Sequence, residues 1–444
     1  MQWKYFRLRY YRRYILAKVK TKTFKKGVHF DDKKYLTKDA EIEEMPLIDD
    51  YFIALSQHIG VPATPLVESG DKVAEGQLIA KAEGFVSANV YSPVSGRVVG
   101  IEKRENKFGV TDKYIHVKRE GEEMVTLPPI DVSDGKAIAD RIEEAGIVGL
   151  GGAGFPTHVK AAPKKPVDLL IVNAAECEPY LNCDNRLLIE KPVEVIEGAK
   201  LVAKTIDIDR IIFGIEENKP RAYEQLSNIN GVEVVLLKKK YPQGGEKQII
   251  YACSGRKVPA KGLPMDVGVV VQNVATCFAV YEAVMLNKPL YERVLTVSGH
   301  GVNQPKNLLV KNGTPYSAIL EYCGGIKEDT QKLVAGGPMM GIAMSNANGV
   351  TTKTDSGLLA LSPDEANSAQ PSACIHCGRC VAACPMNLMP LYIDFYTQAG
   401  EYKEAIKYGV ENCMECGCCS YVCPGKRPIV QSIKLCKAKL KEKK

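Results

Sequence analysis

Eight cysteines constrain this chain more than any other feature. Cys374, Cys377, Cys380 and Cys384, followed by Pro385, read C-x2-C-x2-C-x3-C-P, and Cys413, Cys416, Cys419 and Cys423, followed by Pro424, repeat that spacing without a gap. Two-residue gaps let one loop wrap three corners of an iron–sulfur cube, while the fourth thiolate reaches across to the other cluster. On that rule Cys374, Cys377, Cys380 and Cys423 hold one [4Fe-4S] centre, and Cys413, Cys416, Cys419 and Cys384 hold the second. Zinc takes paired C-x2-C knuckles and has no need of three regularly spaced cysteines plus Pro. Cys418 reads as an extra thiol outside the ligand set, and His376, inside the first loop, as a hydrogen-bond donor near the cluster. Cys177, Cys183, Cys253, Cys277, Cys323 and Cys436 lack ligand spacing and read as small buried apolar residues.

Charge narrows the partners. The formal net charge of +7 over 444 residues comes from the ends, since Gly27 to Ile433 holds 43 Lys/Arg and 51 Asp/Glu and is therefore acidic at −8. A body built to track nucleic acid would carry a basic stripe, so no nucleic-acid partner is expected. No window of about 18 residues is free of polar interruption, so no transmembrane helix is predicted. Met1 to Ile15 is basic and aromatic but has no apolar core or cleavage site, so export is unsupported. Fifteen cysteines without an export signal favour metal ligands over disulfides.

The chain divides by pattern. From about Thr23 to Leu127, short apolar runs such as Gln77 to Ala80 and Val90 to Val99 are punctuated by Gly and Pro and predict strands. Ser133 precedes a helical run that ends at Gly146. From there to about Val280, strand-like runs (Leu169 to Val172, Arg210 to Ile215, Val232 to Leu237) alternate with helical ones (Val193 to Lys204, Glu246 to Cys253), which predicts an α/β layer with a partly parallel sheet. Glu292 to Ala347 returns to short strands and glycines, and the cysteine unit runs from Cys374 to about Gln431.

Gly149, Gly151 and Gly154 match G-x-G-x-x-G, with Glu176 farther on, but a helical run precedes the loop and Phe155-Pro156 follows it. By itself this is equally a plain glycine turn. The wider set is more specific. Gly149 to Lys160 (including Gly152 and Phe155), then Asn173-Ala-Ala-Glu-Cys-Glu-Pro179, Gly244-Gly-Glu246 and Gln272-Asn-Val-Ala-Thr276 occur in that order. They resemble the flavin- and NADH-binding subunit of respiratory complex I, where such segments cradle FMN and admit NADH.

That resemblance implies non-covalent FMN with NAD(H) as substrate. Glycine N–H groups and Lys160 would hold the phosphate, and Asn173, Glu176 and Asn273 would bond the ribityl chain and ring edge. Phe155 would stack on a nicotinamide or adenine, and Glu178 and Glu246 would bond polar groups of the nucleotide. Leu150, Ala175, Gly245 and Gln272 depart from the complex I pattern, where arginine, aspartate, glutamate and asparagine stand.

Over the whole chain, Thr23 to His29, Leu55 to Pro62, Asn173 to Glu190, Tyr241 to Lys247, Gly262 to Gly268, Gly336 to Gly341 and the doubled cluster motif are similar to the RnfC family of the Rnf electron-transport complex. The resemblance implies a multidomain α/β plus β chain: a basic extension (1–26), a barrel-sandwich hybrid domain (27–130), a Rossmann-like FMN/NADH domain (131–290), a β-grasp insert of SLBB type (291–350) packed between flavin and clusters, an α-helical ferredoxin-like domain with two [4Fe-4S] clusters (362–433), and a solvated, disordered lysine-rich tail (434–444). It further implies a peripheral protein on the cytoplasmic side of the inner membrane. There it would exchange electrons between NAD(H) and partner Rnf subunits that move Na+ or H+. Gly70 to Gly76 and Ser92 to Val98 are similar to a biotinyl/lipoyl carrier hairpin, but Phe85 to Tyr91 offers no lysine to modify.

Two rivals share parts of this pattern. A soluble cobalamin reductase would have the glycine loop and both clusters, although the domain order favours Rnf. A relay without flavin would carry iron and sulfide and no FMN. For Met1 to Lys26 two readings stand, an arm that touches anionic lipid or a membrane partner, and an unstructured extension.

Overall fold

The computed structural model describes residues 20–366 and 369–442; the readings of residues 1–19 lie outside them. At its centre is a four-stranded parallel sheet in the order Glu233–Leu237, Ile211–Glu216, Leu169–Ala174, Val269–Asn273. Both faces are covered, and the near-continuous apolar strands follow from that. Leu170, Val172, Phe213 and Val270 turn to the face covered by the helices Pro192–Thr205 and Val274–Met285, while Leu169, Ile171, Ile212 and Val271 turn to the helix Glu246–Ser254. The helix read from Ser133 is Gly135–Glu144, capped by the Asp134 side chain on the Lys136 N–H, and Gly146 ends it at φ +66°.

Two smaller sheets, of four and three strands between Asp50 and Arg119, enclose Ile53, Ile79, Val90, Val98 and Ile115 as the barrel-sandwich unit. The β-grasp unit is wider than its sequence boundaries. Its six-stranded sheet takes in Ile42–Glu44 at one edge, from the stretch read as barrel-sandwich, and Gly357–Leu361 in the interior, past residue 350. Edge strands recruit whatever complementary backbone lies near, which no local pattern records.

The termini also differ from expectation. Lys22 to Val28 is a strap and no loose extension: Lys22 pairs with Leu237, Val28 with Tyr241, and the Gly27 N–H donates to Ala383 O at 3.0 Å, tying the parallel-sheet unit to the cysteine unit. Lys434 to Glu442 is likewise no disordered tail. It continues the helix Ile429–Glu442, which buries Ile429, Ile433 and Cys436 at helical spacing with most of its lysines outside that stripe. No helix among the described residues is long and apolar enough to cross a membrane.

One buried amine joins three units. Lys353 of the β-grasp region donates to Asn89 O (2.6 Å) in the barrel-sandwich and to Gly146 O (2.7 Å) just before the glycine-rich loop. Burial pushes its ammonium down to about 7. Lys353→Met leaves both carbonyls without this donor and should cost about 2 kcal/mol. The readout is a lower midpoint of thermal unfolding, and an unchanged midpoint would refute the role.

Candidate functional site

In the parallel sheet, Leu169–Ala174 has the neighbouring strand Ile211–Glu216 on one side and Val269–Asn273 on the other, so the chain changes direction at their carboxyl ends. Such a switch point opens a crevice where ligands bind. Asn173 and Asn273 face each other there in register. The glycine-rich loop closes over them, held by the Gly149 N–H to Phe155 O bond (2.8 Å) and the Val148–Pro156 bridge, and a short helix, Thr157–Ala161, starts directly after.

The result is a cleft of about 450 Å³. All twelve cofactor residues read from the sequence line it: Gly149, Gly151, Gly152, Gly154, Phe155, Lys160, Asn173, Glu176, Glu178, Gly244, Glu246 and Asn273. The structure adds Asp184, Tyr241, Gln272, Met340 and Met414.

Several of these side chains hold one another. Lys160 donates to Glu246 (3.2 Å) and Val271 O (3.1 Å). Asn173 donates to Gly244 O (2.8 Å), and Asn273 caps the helix Val274–Met285 while donating to Asp184 (2.6 Å). Glu176, at φ +41°, accepts from the Asp184 and Asn185 N–H groups at the start of the helix Cys183–Glu190, so its carboxylate braces the wall of the cleft. Burial pushes the carboxyl groups of Glu178 and Asp184 each up to about 7.

The cleft fits a planar cofactor with a phosphate tail. A Cβ on Gly152 would meet nothing within 4 Å and would enter open space, whereas one on Gly151 would lie 2.6 Å from the Asn273 amide. Gln272 is 2% exposed and its Nε2 has no hydrogen-bond partner, an orphaned donor on the cleft wall.

The cysteine unit closes one end of this cleft. Its two motifs share a backbone: His376 and Glu415 adopt φ +54° and +58°, Gly378 and Gly417 +72° and +77°, and each glycine opens a short helix, Arg379–Ala383 or Cys418–Tyr421. None of the fifteen cysteines is paired in a disulfide. Among the described residues no three His, Cys, Asp or Glu side chains converge on one point as a single ion requires. Thiols of the two motifs pack into one cluster, Cys380 and Cys384 with Cys413, Cys419 and Cys423. Cys384 is an electrostatic neighbour of Cys413, Cys416 and Cys419, and the Arg427 guanidinium feels both Cys374 and Cys423. Cys418 is 1% exposed and packs against Val28, Tyr241 and Ala383.

The two motifs occupy opposite environments. Met414 reaches into the cleft, Gly417 lies against Met339 O of the β-grasp turn, and the Tyr241 hydroxyl donates to Cys416 O (2.8 Å) while 3.3 Å from Glu178. The first motif turns outward, with Cys374 and Cys377 exposed. Tyr241, 1% exposed, thus joins the cleft wall to the second cysteine loop. Tyr241 and Asp184 stood inside segments already singled out, but Met414 is a spacer between two cysteines and carries no signal of its own.

A nucleotide cleft at the switch point of a parallel sheet, sharing a wall with paired cluster loops, defines a flavin- and iron–sulfur-dependent electron-transfer protein. Residues 142–282 match the Nuo51 FMN-binding domain, 22–122 the RnfC barrel sandwich hybrid domain, 294–343 the SLBB domain and 366–424 the 4Fe-4S dicluster domain. The chain is 44% identical to the C-subunit of the proton-translocating ferredoxin:NAD(+) oxidoreductase complex of Clostridium ljungdahlii, over 94% of each chain. It is 40% identical to the C-subunit of the Na(+)-translocating complex of Acetobacterium woodii (95% of this chain, 98% of that one) and 40% identical to that of the ion-translocating oxidoreductase complex of Rhodobacter capsulatus (94% and 83%). A solved chain of an NAD+-reducing [NiFe]-hydrogenase in the air-oxidized state is similar over 62% of this chain and 55% of its own, at 20% identity and a TM-score of 0.47. The chain belongs to the RnfC family of ion-translocating oxidoreductase complexes.

Proposed function

We propose that this chain is the NAD(H)-facing subunit of a membrane-bound, ion-translocating ferredoxin:NAD+ oxidoreductase complex, peripheral and on the cytoplasmic side, docked through its partner subunits. The single observation that carries the reading is the shared wall at Tyr241 and Met414, which leaves no intervening domain between the nucleotide cleft and the second cysteine loop. When bound, FMN exchanges a hydride with NAD(H) and single electrons with the clusters, the conversion that paired nicotinamide electrons require.

The protein contributes placement. N–H groups of Gly151, Gly152 and Gly154, with Lys160, receive the phosphate, while Gly149 closes the loop through its N–H to Phe155 O; Asn173, Asn273 and the orphaned Gln272 amide face the flavin. Glu176 stiffens that wall through the helix it caps. Phe155, Glu178 and Glu246 line the approach of the nicotinamide nucleotide. Cys384, Cys413, Cys416 and Cys419 form the ligand set beside the cleft, and Cys374, Cys377, Cys380 and Cys423 the outer set.

Anaerobic purification with iron, sulfide and flavin analysis tests this directly. About eight irons and one FMN per chain are expected, with NADH bleaching the flavin and reducing clusters seen by EPR. A preparation holding iron and sulfide but no FMN would overturn the reading in favour of a flavin-free relay.

A further inference from the structure

The helix Glu246–Ser254 borders two clefts. Glu246 lines the flavin cleft, whereas Lys247, Gln248 and Tyr251 line a second cleft of about 460 Å³, as large as the first, and the two share no lining residue. Distant parts of the chain complete its walls: Phe24 and Lys25 of the strap, the turn Val258 to Ala260, and the run Pro385 to Leu388 that follows the last cysteine of the first motif. The Gly27 N–H to Ala383 O bond (3.0 Å) and the Lys261 N–H to Asn412 Oδ1 bond (3.1 Å) tie these segments together, so the cleft is built into the packing of the parallel-sheet and cysteine units.

Its lining is cationic within a body whose net charge is −8. Lys25, Lys247 and Lys257 carry the only charges in the lining, and none of the three forms an ion pair among the described residues. The acids that flank the cleft are held by cations outside its lining: Glu246 by Lys160 (3.2 Å), Asp266 by Lys165 (2.6 Å), Asp168 by Arg256 (2.5 Å) and Glu411 by Lys261 (2.8 Å). Three amines around one cavity repel one another until an anion enters it. The cavity also offers a ring and an amide. Tyr251 is half-buried, with Lys257 Nζ 6.0 Å from its ring centroid. Gln248 is 5% exposed; its Nε2 donates to the Met386 thioether (3.3 Å), a weak acceptor, and its Oε1 has no hydrogen-bond partner. An aromatic face, an under-bonded amide and three amines are the parts that hold a base and its phosphates.

We propose that this cleft is a second nucleotide site, which takes a nucleoside diphosphate or triphosphate with its base on Tyr251 and its phosphates among Lys25, Lys247 and Lys257. Leu388, on the cleft wall, donates its N–H to Cys384 Sγ (3.4 Å), so a nucleotide bound there touches the segment that carries a thiol of the inner ligand set.

The test titrates ADP and pyrophosphate, in separate calorimetric experiments, into the anaerobically purified full-length holo-chain. ADP should bind, and Lys25→Gln with Lys257→Gln should weaken that binding about tenfold or more. The same variant should leave unchanged the NADH concentration that half-saturates flavin bleaching, and iron content reports that it has folded. Wild-type affinity for ADP in this variant would overturn the proposal, because the ligand would then sit in the flavin cleft. So would the absence of ADP binding to the wild type. Pyrophosphate should bind about tenfold more weakly than ADP, and Tyr251→Leu should remove that difference by taking away the surface for the base. Equal affinities for the two probes in the wild type would overturn the nucleoside assignment and leave a site for phosphate alone. Failure of NADH to bleach the flavin would sink the FMN reading and leave the calorimetric result standing.

Discussion

Cys384→Ala is expected to remove the cluster bordered by Cys413, Cys416 and Cys419, and to leave the cluster of its own motif in place. Iron should fall from about eight to about four per chain, with loss of the EPR signal of the inner cluster. The reason is geometric. Cys384 follows the short helix Arg379–Ala383, which packs against Cys418–Tyr421, and it is a buried neighbour of the second loop. Removing the first-motif signal instead would show that each motif binds its own cluster. Cys418 is buried beside the same loop and offers a substitute thiol, so the double variant Cys384→Ala/Cys418→Ala excludes ligand exchange. Because the inner set adjoins the cleft, NADH should still bleach the flavin in this variant while the outer cluster stays oxidised.

Gly152→Val separates the flavin from the fold. A Cβ there meets no protein atom within 4 Å, and the residue is not at positive φ, so valine is tolerated by the chain itself. Its methyl groups would occupy the space in which the cofactor must approach bare backbone. The purified variant should hold under a tenth of the wild-type flavin with about eight irons retained, and NADH should reduce nothing. Gly154→Val is the contrasting case: φ is +70°, and a Cβ would approach Thr354 and the His58 backbone at 2.7 and 3.0 Å, so stability should fall as well. Full flavin content in Gly152→Val would remove the glycine loop from the site.

Much of this was legible because the chemistry is written locally. A C-x2-C-x2-C-x3-C-P loop needs no distant partner to declare its metal, and the alternation of strands and helices from Leu169 to Val271 follows from burial on two faces. The lysine-rich end was misread for a related reason. Counting Lys434 to Lys444 as a charge run hid the period of Ile429, Ile433 and Cys436, and that apolar stripe keeps the segment helical against the cluster core. Ile42–Glu44 escaped because a three-residue edge strand is selected by its neighbour Lys306–Lys311, not by its own pattern.

The sequence alone determined the cofactors: eight thiols in two phased motifs, and four short segments whose residue types suit a flavin. It also placed the acidic body between basic ends. Only the tertiary structure decided how these parts meet. Twelve residues spread from Gly149 to Asn273 converge because parallel strands carry their loops to one edge of the sheet. Two cysteine loops of the same spacing became unequal because one packs under Tyr241 and the β-grasp turn while the other faces water. Spacing along a chain fixes which atoms a loop can offer to a metal; the direction electrons can take depends on which loop is covered, and that is a property of packing between distant segments.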